Sequence, residues 1–182
     1  MDPLANKKHE NIAGYVISMW HLEDLLRAHK FDTTLIEAQL VAPMDADAEA
    51  RSAMLAWYTN LARRMQQQGI TERGHLSEVE EVIMELEFLH RSLVDLLNDE
   101  EYDALFAKAE PGIKSLQEAA GEDADGPITT CFTAIYGVMV LRARQQEISE
   151  TTAEAEGHMR RLLEHLSKHY RQMRKLPGVS MN

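Results

Sequence analysis

The 182-residue chain is 45% hydrophobic and 27% charged with a formal net charge of −11, a globular balance that excludes intrinsic disorder. That length suits one domain, read here as residues 1–182, and Cys131, the sole cysteine, excludes an intramolecular disulfide framework and fits a cytoplasmic setting. The start MDPLANKKHEN lacks the apolar stretch of a leader, and the longest apolar patch, ITTCFTAIYGVMVL at 128–141, is too short to span a bilayer, so no membrane association is expected.

Apolar residues recur at intervals of three and four, which predicts helices throughout and no strand. A first helix over about 8–30 places Ile12, Tyr15, Val16, Met19, Leu22 and Leu26 on one face. Asp32 caps a short second helix that Pro43 ends, and a third follows from about Asp45 to Gln68, with Gly69 at the left-handed position beyond it. Ser77 and Glu80 form an S-x-x-E capping box for a fourth helix reaching about Leu97. Asp99 caps a fifth, which Pro111 and Gly112 are expected to divide into two half-helices.

Pro127 suits the first position of a sixth helix, apolar on nearly every side and so expected to be the most enclosed. Thr151 and Glu154 form a second capping box for a last helix ending near Lys175, before Pro177 and Gly178. The fold expected is all-α, a mainly antiparallel bundle of about six main helices plus one short one, with 1–7 and 177–182 as flexible tails.

The string Asn11-Ile12-Ala13-x-Tyr15, then Met19-Trp20-x-x-Glu23-Asp24-Leu25-x-Arg27-Ala28, and later Gly74-His75-Leu76, resembles the opening half of an uncharacterised bacterial family of small all-helical proteins, a domain of unknown function. The resemblance implies fold and compartment, and supplies no substrate, cofactor or active site.

Charge and candidate chemistry cluster at a few places. At 100° per residue Glu23 falls inside the apolar sector of the first helix, where a carboxylate needs a partner; Arg27 and Arg142 are the cations placed to supply one. A structural ion pair is favoured over a functional acid, and a ligand site would draw on Glu23, Arg27, His90 and Arg142. Glu87-x-x-His90 has the spacing of carboxylate-bridged di-metal bundles, which need two such motifs where one occurs; His90 reads as a core-edge histidine with a hydrogen-bond partner. The acid pairs Glu78/Glu81 and Glu100/Asp103 mimic a magnesium-binding spacing, but each lies in the first turn of its own helix, where acids complement the dipole. His165 and His169, at i and i+4 with His158 in the same stripe, suit a zinc or nickel ion, although a solvated flank bordering the core is the favoured reading. Cys131 reads as core.

Charge is polarised as well. Residues 76–126 hold 15 acids against Arg91, Lys108 and Lys114, while residues 158–175 hold six Lys and Arg against Glu164. The overall acidity disfavours nucleic acid as a partner. Arg160, Arg161, Lys168 and Arg171 are instead placed to meet an acidic surface, and Met84 and Phe88 form an apolar spot on the outward side of the fourth helix that another helix or a second subunit must cover. The expectation is a non-catalytic interaction or scaffold protein with a protein partner or homodimer and no cofactor; the alternative is a small-molecule or metal-binding bundle, possible as an enzyme, with no catalytic residue assigned.

Overall fold

The computed structural model describes residues 2–97 and 99–175, and among these the chain forms eight α-helices and no strand. They are α1 (Ala5–Glu10), α2 (Ile12–Ala28), α3 (Thr33–Ile36), α4 (Ala48–Gln67), α5 (Ser77–Ser92), α6 (Glu100–Ala120), α7 (Pro127–Ala143) and α8 (Glu150–Met173). Turns of π-helix follow α3 at Glu37–Val41 and α5 at Leu93–Leu97. Six helices are long and two short, a helical bundle as the spacing predicts. No single helix among the described residues is long and apolar enough to cross a membrane. The stop expected at Pro177 and Gly178 and the tail at 177–182 lie outside the described residues.

The chain divides into two compact units, Met1–Asn6 with Ser18–Glu80, and Lys7–Ile17 with Glu81–Asn182. In the first unit Asp32 caps α3 by accepting the Thr34 and Leu35 amides, and Asp47 rather than Asp45 caps α4 through Ala50. Gly69, at φ 71°, occupies the left-handed position beyond α4 that its sequence position predicts. Met19, Leu26, Ile36, Leu61, Met65 and Leu76 are buried, whereas Met54, Trp57 and Tyr58 of α4 are half-buried.

The second unit departs from the sequence expectation at three places. The first helix is two: Asn11 stops α1 and starts α2 by accepting the Gly14 amide at 2.8 Å, while Ser167 of α8 takes the Ala13 amide at 3.3 Å. Pro111 does not divide α6, which runs unbroken through it. Proline frees the carbonyl of Ala107, but both residues are exposed, where water can satisfy that carbonyl at little cost. Gly112 next to it lets α6 approach α8 closely, since a Cβ there would stand 2.9 Å from Met159 Cε and 3.2 Å from Ala155 Cβ. The last helix is capped by Ser149, which accepts the Thr152 amide, and not by Thr151.

The sixth helix of the sequence reading, α7, is less enclosed than its apolarity suggests. Ile128, Cys131, Phe132, Ile135 and Val138 are buried, but Thr133 and Gly137 are exposed on its other side. The more amphipathic α8 instead buries Met159, Leu162, Leu163, Leu166 and Tyr170 together with the polar Glu156, His165 and Ser167.

Candidate functional site

Glu23 is fully buried, as its place in the apolar sector demands, but its partners come from the loop before α5. Oε1 accepts the Leu76 amide at 2.9 Å and Oε2 stands 2.6 Å from His75 Nδ1. The His75 ring stacks on Trp20 with centroids 4.3 Å apart and planes 9° from parallel. Arg27, one turn along α2, is occupied by the same loop: it donates to the Ile70 carbonyl at 3.2 Å and to that of Gly74, and pairs with Asp24 at 3.0 Å. One helical turn thus offers a carboxylate to the donors of residues 75–76 and a guanidinium to the carbonyls of residues 70 and 74. The acid also lies at the start of α5, where unpaired amides and the helix dipole favour negative charge.

The other two residues of the expected ligand set belong to the second unit. His90 is buried with the Tyr102 hydroxyl 2.7 Å from Nδ1, and burial pushes its pKa below the ordinary histidine value. Tyr102 is pushed well above the tyrosine range by burial, so its hydroxyl keeps its proton beside the imidazole. Arg142 is half-exposed at the end of α7, 3.7 Å from Glu156, a buried acid that also holds Arg160. Sequence reasoning missed Glu156, and it missed the use made of Glu87. That residue's Oε1 accepts the Thr129 amide at 2.8 Å and its hydroxyl at 3.0 Å, capping α7 from α5. The Cys131 thiol is buried and raised far above its usual range, chiefly by desolvation, which leaves it a poor nucleophile.

Met84 and Phe88 face outward, 61% and 66% exposed among the described residues. Leu96 and Leu97 of the following π turn are exposed to 74% and 63%. Of the basic residues on α8, Arg160 is taken by Glu156 and Arg161 lies 2.9 Å from His158 Nδ1. Lys168 and Arg171 are exposed and form no ion pair among the described residues.

The histidine stripe of α8 borders the core and enters it at one residue, with His158 and His169 half-buried. His165 is buried, and its Nε2 is 3.1 Å from His169 Nε2, which is itself 3.0 Å from Asp99 Oδ2. Asp99 caps α6 through its other oxygen, which accepts the Tyr102 amide at 2.9 Å. That bond, and after it the nearby His169 and His165, hold the Asp99 carboxyl below its ordinary pKa against the opposing effect of burial. Glu101 Oε1 lies 3.4 Å from His165 Nδ1.

A groove of about 710 Å³ runs between the second half of α6, the open side of α7 and the start of α8. Pro111, Leu116, Ala134, Val138, Leu141 and Met159 make its walls apolar; Ser115, Thr130 and Thr133 add hydroxyls and Lys108 and Glu154 charge. Gly137 lines it, and a Cβ added there meets nothing within 4 Å.

A family model matches residues 1–176, and the chain belongs to that family, Domain of unknown function (DUF4924). No curated protein matches the chain, and no solved structure does.

Proposed function

We propose that this DUF4924 member is an interaction protein that works by burying the outer face of α5 against a second copy of itself. One observation carries the reading: Met84, Phe88, Leu96 and Leu97 lie on one continuous helical segment, each more than 60% exposed. Met84, Phe88, Ser92 and Leu96 follow one another at four-residue intervals, so they share a stripe. Burying such a side chain is worth about 1.5–3 kcal/mol, and monomers rarely leave several together in water.

Charge argues for a second copy as the occupant. The exposed Glu80, Glu81 and Asp95 flank the stripe, and Glu100 and Asp103 follow on α6, whereas Lys168 and Arg171 on α8 present the opposite sign. Each copy therefore carries both halves of a complementary pair. Sedimentation of the full chain should show a dimer that weakens between about 50 and 500 mM salt, since exposed pairs are screened over roughly a Debye length. Phe88→Glu should raise the dimer dissociation constant at least ~30-fold, the scale of a central anchor, with the melting curve of the monomer unchanged. A chain that is monomeric at high concentration and low salt, or a dimer indifferent to Phe88→Glu, overturns this reading.

A small-molecule reading has Gly137 behind it. Glycine inside a helix costs about 1 kcal/mol relative to alanine, and nothing among the described residues comes within 4 Å of a Cβ placed there. An amphipathic small molecule, apolar body on Leu116, Val138 and Met159 and polar end toward Ser115 or Thr133, fits a groove of this volume. Gly137→Ala should raise stability by ~0.5–1 kcal/mol. Gly137→Leu should weaken binding of a fluorescent fatty-acid probe about tenfold or more. Probe affinity indifferent to Gly137→Leu rules this reading out.

A further inference from the structure

We infer that Asp99, His165 and His169 form a binding site for one divalent transition-metal ion of the zinc class. The inference is independent of self-association and of the groove. Its starting point is a proton count at three atoms that crowd together. His165, His169 and Asp99 each offer one ligand atom to a group within 4.8 Å of one another, and His169 Nε2 stands 3.1 Å from His165 Nε2 and 3.0 Å from Asp99 Oδ2. In the neutral state each imidazole carries one proton on one of its two nitrogens, and the carboxylate carries none. The Glu101 carboxylate, 3.4 Å from His165 Nδ1, favours the tautomer with that proton on Nδ1 and the lone pair on Nε2. His169 Nε2 then has one proton at most to offer to two acceptors, His165 and Asp99, both about 3 Å away. A cation satisfies all three lone pairs together.

The spacing fits. Nitrogen and oxygen ligands about 2.0–2.1 Å from a metal, in tetrahedral or octahedral arrangement, stand roughly 2.9–3.4 Å from one another. The local folds that fix the three ligands are already present. His165 and His169 lie one turn apart on α8, and Asp99 is aimed from the start of α6 by its bond to the Tyr102 amide. Two imidazoles with one carboxylate select zinc, nickel or cobalt over magnesium or calcium, which prefer oxygen throughout. His169 and Asp99 side chains are each 25% exposed, which leaves room for water to complete the coordination shell.

The test is titration of the untagged, chelator-stripped full chain with Co²⁺ and Zn²⁺. One equivalent of Co²⁺ should bind, with visible d–d absorption that Zn²⁺ displaces. His169→Gln changes a partly exposed ligand and should weaken binding at least ~100-fold while the helical spectrum is retained. Asp99→Asn keeps an N-cap acceptor for Tyr102 and removes the anionic ligand, so it separates loss of metal from loss of fold; binding should fall about tenfold or more. Glu101→Gln should fall less, since that residue only orients His165. No stoichiometric binding by the parent chain, or binding that His169→Gln and Asp99→Asn leave within a factor of two, overturns the site and assigns any uptake to the other histidines.

Discussion

Glu23→Leu is expected to destabilise the protein by about 3 kcal/mol, near the top of what one side chain does outside a large core residue. Leucine restores the volume and leaves no cavity to speak of, so the loss is electrostatic. The Leu76 amide would be buried without an acceptor, which costs about 1–3 kcal/mol, and the charge-assisted bond to His75 is worth a further 1.5–3 kcal/mol. His75 softens the loss, because it is 30% exposed and water can replace the partner it loses. Glu23→Gln keeps an oxygen for the Leu76 amide and should cost about half as much. In urea the midpoint should fall with an unchanged slope, and a double-mutant cycle with His75→Ala should show a coupling of ~0.5–3 kcal/mol. A Glu23→Leu midpoint equal to that of the parent would mean that the loop before α5 is held by Arg27 alone.

That carboxylate also shows where sequence reasoning stops. Helical spacing marks Glu23 as an acid facing a core, and the structure buries it completely. The partner was out of reach, because His75 is 52 residues away in a loop with no periodicity to orient it. The same division recurs elsewhere. Asp32, Asp99 and Pro127 start their helices as local rules predict, since a cap acts within three residues of itself. Glu87 and Ser167 cap helices other than their own, so only the packed chain reveals them. The i, i+4 histidines were legible for the same local reason, and Asp99, the carboxylate that completes their cluster, was not. The spacing of Met84 and Phe88 placed them on an outward face, and they are exposed. Pro111 misled because its effect depends on exposure, which the sequence does not state.

Gly126→Ala should cost about 1–2 kcal/mol, although alanine suits the backbone there. At φ −61° and ψ 163° the residue is an ordinary N-cap, so the usual argument from glycine's freedom does not apply. The obstacle is Glu87, whose Cδ would lie 2.7 Å from the new Cβ. A glutamate end normally swings aside cheaply, but this one is tied by two bonds to Thr129, and moving it uncaps α7. Glu87→Ala should therefore cost a similar ~1–2 kcal/mol, the value of a lost cap with its favourable charge at a helix start. The two changes should not add. Once Glu87 is gone the three atoms nearest to the new Cβ go with it, and Gly126→Ala should become neutral or stabilising by ~0.4–1 kcal/mol through the unfolded chain. Thermal melts of the parent, both single variants and the double variant decide it. Additive losses would show that Gly126 is held by something other than the Glu87 carboxylate.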